Sequence, residues 1–123
     1  MNQIIESNLI NFGDLSQDFE TEIVDVFLKL KQNKKYKLAT IIINFVDVTT
    51  NTGTAPNGII DLIATTDNNT FHKIEAFAID QNDNSDDTIL YEFSSNINLI
   101  KFKYTKGNIT QGMLNINLLY LEY

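Results

Sequence analysis

Gly58-Ile59-Ile60-Asp61-Leu62-Ile63-Ala64-Thr65-Thr66-Asp67-Asn68-Asn69-Thr70-Phe71 decides how this chain is read. The stretch runs from a glycine through alternating side chains into an Asp-Asn-Asn turn and restarts on an aromatic residue, the pattern of an antiparallel hairpin. Leu99-Ile100-Lys101-Phe102-Lys103-Tyr104-Thr105 and Gly112-Met113-Leu114-Asn115-Ile116-Asn117-Leu118 also read as strands.

Working outward, strands are expected at Phe19–Leu30, Lys37–Val48, Gly58–Thr66, Thr70–Asp80, Thr88–Phe93, Leu99–Tyr104 and Gly112–Tyr123. Lys37–Val48 (KLATIIINFVDV) carries apolar residues on both alternating faces, which predicts a central strand whose outer face is also covered. Ile89, Tyr91 and Phe93 share one face of the fifth strand. In the last, Leu114, Ile116, Leu118 and Tyr120 oppose a mixed face of Met113, Asn115, Asn117, Leu119 and Leu121. The only proline, Pro56, sits in a Thr/Asn/Gly-rich run from Thr49 to Gly58 that reads as a loop. No segment favours a long helix. The fold class is therefore all-β, an antiparallel sandwich of about seven strands with jelly-roll or immunoglobulin-like order. Ile42, Leu62, Phe102 and Ile116 are expected in its core.

A length of 123 residues suits one domain able to bury a core without staples. Residues 18–123 form the expected sandwich. Residues 1–17, with Ile4, Ile5, Leu9, Ile10 and Phe12, read as an extra edge strand or as an arm that docks on a neighbouring subunit. The chain has no cysteine, hence no disulfide and no thiolate nucleophile. All nine basic residues are lysine, and isoleucine and asparagine are abundant, a bias that AT-rich codons produce. The net charge of -7 opposes nucleic-acid binding, because neutralisation of phosphates by basic side chains supplies most non-specific affinity. Met1 to Leu15 contains Glu6 and Asp14 and no basic side chain, so neither a secretory signal nor a membrane partner is expected.

Little in the chain points to chemistry. His72 is the only histidine, and no G-x-S-x-G elbow accompanies it, so a packed or rim position is expected rather than a catalytic one. Nothing singles out a working pair among the sixteen carboxylates. Asp80, Asn82, Asn84 and Asp86 have the alternate spacing of a calcium loop, yet Ser85 occupies the required glycine position and Tyr91 stands where the bidentate glutamate belongs. A solvated loop is the simpler reading. Asn68-Asn69-Thr70 and Asn108-Ile109-Thr110 match the glycosylation sequon at a frequency that composition alone explains. No catalytic, cofactor-binding or metal-ligating residue is assigned. Lysines cluster at Lys29 to Lys37 and at Lys101 to Lys106, acids at Asp14 to Asp25 and Asp80 to Glu92. Lysines on turns are routinely solubilising, which is the simpler reading; the separation is also suited to steering complementary faces of identical subunits together or to docking a basic face on an acidic shell.

Gly58, Ile60, Leu62, Thr65, Asp67 and Phe71, followed by Tyr104, Thr105 and Gly112, give the chain its resemblance to small β-sandwich virion structural proteins of tailed bacteriophages, including crAss-like phages. In those proteins the aromatic that opens the second strand is often tryptophan, and a basic residue often stands where Glu122 is here. The resemblance implies a non-enzymatic virion component assembled in the host cytoplasm, first of all a capsid auxiliary or decoration subunit. A collar or tail adaptor ring subunit is the second reading it allows. Its partners would be other virion proteins (capsid, portal or tail) and further copies of itself. A carbohydrate- or receptor-binding module is the alternative from another class, since fold does not fix function. That reading lacks a tryptophan platform.

Overall fold

The computed structural model describes residues 3–26, 36–51, 54–79, 87–94 and 97–122. Its strands are β1 (Gln3–Asp14), β2 (Phe19–Glu20), β3 (Val24–Asp25), β4 (Tyr36–Thr50), β5 (Gly58–Thr65), β6 (His72–Ile79), β7 (Asp87–Ser94), β8 (Leu99–Thr105) and β9 (Ile109–Glu122). The opening stretch folds as its pattern predicts: β5 and β6 pair antiparallel from Gly58 opposite Ile79 to Ala64 opposite His72. Asp67 holds the turn. Its Oδ1 accepts from the backbone N–H of Thr70 at 2.8 Å, that of Asn69 at 2.9 Å and the Thr65 hydroxyl at 2.8 Å. Asn68 takes a φ of 67°, a left-handed conformation that asparagine tolerates better than most residues.

Two antiparallel sheets face each other. The front sheet has the order β1-β9-β4-β7, and the back sheet β2-β8-β5-β6, with β3 also paired to β8. Counting β2 and β3 as one interrupted strand gives eight strands whose sheets run 1-8-3-6 and 2-7-4-5. This is the jelly-roll order, in which every connection except the β5–β6 hairpin crosses between sheets. The immunoglobulin-like alternative is excluded by that order.

The core lies between the sheets. Ala39, Ile41, Ile43 and Phe45 of β4 and Leu114, Ile116 and Leu118 of β9 meet Ile60 and Leu62 of β5 and Ile100, Phe102 and Tyr104 of β8, all buried. Each fully buried aliphatic side chain contributes on the order of 1.5–3 kcal/mol. Leu62, Phe102 and Ile116 occupy the expected core; Ile42 does not. It is half-buried on the outer face, because Ile41 and Ile43 take the inward positions in the run Ile41-Ile42-Ile43 and period-two alternation turns the residue between them outward. Nor does any described element cover that outer face.

Of the two readings of the N-terminal segment the described residues take the edge strand, while the strand expected at Phe19–Leu30 departs from expectation. Gln3–Asp14 forms the edge strand β1, paired with β9 from Gln3 opposite Glu122 to Asp14 opposite Met113. The strand expected at Phe19–Leu30 is instead two short strands separated by Thr21–Ile23, and its last residues, from Phe27 on, lie outside the described residues. At the break the Phe102 N–H of the neighbouring strand donates to the Thr21 hydroxyl at 2.9 Å, a side-chain acceptor in place of a ladder carbonyl.

Gly58 starts β5 for lack of space. A Cβ there would stand 2.6 Å from Ile109 Cδ1 and 3.3 Å from the Tyr104 hydroxyl. At the same end, Asn57 and Asn108 exchange backbone-to-side-chain bonds of 2.9 and 2.8 Å, and Asn108 Nδ2 donates to the Ala55 carbonyl at 2.9 Å. These bonds fasten the loop before β5 to the β8–β9 turn, where Gly107 adopts a φ of 55°.

Candidate functional site

His72 is exposed at the start of β6, opposite Ala64. Among the described residues, no three His, Asp or Glu side chains gather as metal ligands, and no helix is long and apolar enough to cross a membrane. The calcium-like spacing from Asp80 to Asp86 lies outside the described residues, as do Lys29 to Lys35. Both sequon asparagines belong to turns, and the Asn108 amide is consumed by the bonds just described.

Among the described residues, the carboxylates whose acidity is shifted are turn-forming or paired groups. Asp67 is held well below the ordinary carboxylate value by the N–H groups of Thr70 and Asn69 and then by the Thr65 hydroxyl. Asp14 is lowered by the Ser16 hydroxyl and then the Ser16 N–H, and Glu20 by the Lys101 ammonium, whose Nζ lies 2.8 Å from its carboxylate. Each arrangement stabilises a charge already present. Tyr104 is shifted the other way: burial pushes its phenol up, with the charges of Asp18 and Asp14 adding to the effect.

A groove of about 580 Å³ lies between the edge strand β1 and the segment of β2 and β3. Leu9, Ile10, Ile23, Val24 and Phe102 give it an apolar lining, edged by Glu22 and Asp25. Leu9 is the bulged residue of β1 and Ile23 lies in the break between β2 and β3, so the groove arises where both edge strands are irregular.

More extensive than the groove are the two outer sheet faces, which differ in chemistry. Across the front, the ladder sets Leu119 beside Thr40 and Glu92, Asn117 beside Ile42 and Leu90, Asn115 beside Asn44 and Thr88, and Met113 beside Val46. Leu90 is 66% exposed and Met113 37%. The polar groups here bond to one another: Asn8 Nδ2 donates to Asn117 Oδ1 at 2.7 Å, and Asn44 Nδ2 to the Thr88 hydroxyl at 3.2 Å. The centre of this face is uncharged. Its ends are acidic, with Glu92 at one and Asp14 and Asp47 beside Met113 at the other.

The back face carries both signs of charge, with Glu20, Asp25 and Asp61 beside Lys73, Lys101 and Lys103. Lys103 pairs across the ladder with Asp61 and Glu20, and Lys101 and Lys73 flank Ile63. Ile59, 43% exposed, lies between Ala78 and Thr105. Of the acids on this face, Glu20 is paired to Lys101 and Asp61 is half-buried, its Oδ1 shielded from solvent without a hydrogen-bond partner. The front-face residues could have been found from the two-faced pattern of Lys37–Val48. The exposed Leu90 could not, because nothing local distinguishes it from a core leucine.

No protein-family model matches the chain, and no curated protein matches it. Among solved structures it is similar to infectious bursal disease virus, Gx strain, with a TM-score of 0.47 and 9% identity over 98% of this chain and 32% of that one. It is also similar to the SPBc2 prophage-derived protein YomS, with a TM-score of 0.53 and 8% identity over 98% of this chain and 95% of that one. At such identities what the chain shares with the prophage-derived protein is the sandwich fold, along nearly the full length of both.

Proposed function

We propose that this chain is a non-enzymatic structural subunit of a phage particle, acting as an auxiliary or decoration protein on the capsid. The observation that carries this reading is the jelly-roll strand order, an architecture recurrent in viral capsid domains, in a chain whose match to a prophage-derived protein leaves almost nothing of either unmatched. Supporting it, the shifted titrating groups hold turns and ion pairs, and the broadest features of the surface are two sheet faces suited to protein contact. A collar or tail adaptor ring is the second reading, favoured by the unlike composition of those faces, since contacts between unlike surfaces close into rings where the rotation between copies closes.

Copy number separates the two. Particles of a phage encoding this chain are purified and the subunit is quantified against the major capsid protein. Many dozens of copies per particle agree with decoration, and about a dozen with a ring of cyclic symmetry at the neck. Complete absence from mature particles overturns both.

A further inference from the structure

We infer that two copies of this chain pair edge to edge through β7, antiparallel about a two-fold axis at Leu90, so that their front sheets join into one. Among the described residues the sheets have four edges: β1 and β7 border the front, β6 and the segment of β2 and β3 the back. An edge strand turns alternate N–H and C=O groups away from its neighbour, and proteins blunt such edges with bulges, breaks and lysines. Three of these edges are blunted. β1 has register shifts between Asn8 and Ile10 and between Ile10 and Gly13, β2 and β3 are separate short strands, and β6 has a shift opposite Leu62 and Ile63, beside Lys73.

β7 has none of these devices. Its pairing with β4 runs without a shift from Ser94 opposite Leu38 to Asp87 opposite Phe45, and the strand holds neither lysine nor proline. Leu90, near its middle, is 66% exposed, more than Ile23, Ile59, Ile74 or Met113. The edge is also held in place from below: the ring of Tyr91 packs on that of Phe77 in β6, 5.5 Å between centroids, which ties β7 to the back sheet. A strand already fixed in its extended form has less ordering to lose on pairing.

A second copy fits this edge because the strand is complementary to itself. Centring the axis on Leu90 keeps each face of the strand continuous with the same face of its partner and aligns residues 87–93 with 93–87, a contact about 24 Å long. On the outer face Leu90 meets the partner's Leu90, and Thr88 at each end meets the partner's Glu92; on the inner face Ile89 meets the partner's Tyr91. No acid stands opposite an acid. Moving the axis to Tyr91 would set Glu92 against Leu90 at both ends, and moving it to Ile89 would shorten the contact, so the Leu90 register is the one that joins the two exposed leucines. The contact uses the same surface on both copies and therefore closes at a dimer.

Sedimentation velocity of the full chain over a wide concentration range tests the pairing with no particle needed, so its outcome is separate from that of the virion reading. Wild type should pass from monomer to dimer and grow no further. Leu90→Lys, which sets two ammonium groups against each other, should weaken the dimer at least about fivefold. Thr88→Lys should tighten it by about 2- to 30-fold, because each new ammonium faces the partner's Glu92, and Thr88→Glu should weaken it. Within one chain positions 88 and 92 are about 13 Å apart along the strand, too far to pair. Far-UV circular dichroism selects the variants that retain the fold. Spin labels at Asn117→Cys, in a chain with no other cysteine, report the geometry: Asn117 stands beside Ile42 and Ile42 beside Leu90, so five strand spacings, about 24 Å, separate the two labelled positions by double electron–electron resonance. A wild type that stays monomeric at every concentration leaves this edge to a strand of another protein and overturns the proposal. Species larger than a dimer, a dimer indifferent to all three substitutions, or a label separation that does not fit five strand spacings overturns it as well.

Discussion

The hydroxyl of Tyr104 donates a 2.8 Å hydrogen bond to the backbone carbonyl of Leu15, inside the molecule and between the two sheets. Tyr104 belongs to β8 of the back sheet, and Leu15 follows β1 of the front sheet directly. Leu15 also donates its own N–H to the Gly112 carbonyl of β9 at 3.0 Å and buries its side chain completely. One residue thereby fixes where the chain leaves the front sheet for the back.

Tyr104→Phe should therefore destabilise the fold by about 1–3 kcal/mol, the range for leaving a buried carbonyl without its partner. The ring's contact with Phe19, at 5.2 Å between centroids, is retained. Urea unfolding at neutral pH measures the loss. The raised phenol adds a second signature. The folded state holds its proton more tightly than the unfolded state, so this contribution is full below the ordinary tyrosine value of 10.0 and declines as pH rises above it. Wild type should lose more stability than Tyr104→Phe between about pH 10 and 11.

Core and face positions should separate by magnitude. Phe102→Ala removes a side chain that is 1% exposed and should cost about 3–5 kcal/mol through lost transfer energy and a residual cavity. Ile42→Ala, on the half-buried outer face, should cost under about 1.5 kcal/mol. Equal losses at the two positions would contradict the register of β4.

The same pair of residues shows what can be read from a sequence of this kind. Phe102 lies in a strand where lysines alternate with apolar residues, so its face is unambiguous. Ile42 lies in a run of three isoleucines flanked by Thr40 and Asn44, where parity depends on pairing with β7 and β9 that no local signal reports. The β5–β6 hairpin was legible because Asp67 and Asn68 announce the turn through their own chemistry. The break between β2 and β3 was not, since the bond at Thr21 comes from Phe102 of the neighbouring strand. The outer front face was half legible: the mixed face of the last strand was visible, whereas its continuation through Leu90 needed the fold.

Acid should act on the hairpin turn through Asp67. Its carboxyl is lowered in the folded state, so the stabilisation is present above the ordinary value of 3.8 and is lost as pH falls from there toward the folded-state value. Asp67→Asn keeps an acceptor at Oδ1 and removes the charge. The gap in urea midpoint between wild type and this variant should be widest near neutral pH and narrow as pH falls below 4. A gap that stays constant down to pH 2 would contradict the assignment.

Deleting residues 1–14 distinguishes an edge strand from a detachable arm. Leu9 and Ile10 pack against the core and β1 supplies the ladder partner of β9, so the truncated chain should lose at least about 2–4 kcal/mol of stability and become prone to aggregate through the bared β9 edge. Unchanged melting of a soluble truncated chain would contradict the pairing.

The central claim is that this chain serves by occupying a repeated place in a phage particle, and a reconstruction of that particle tests it most directly. Density from purified virions should accommodate the two-sheet jelly roll at symmetry-related positions on the capsid shell or around the neck, in contact with another virion protein or with the next copy. A particle whose density is fully accounted for by other subunits, with no place for this fold, would contradict the account.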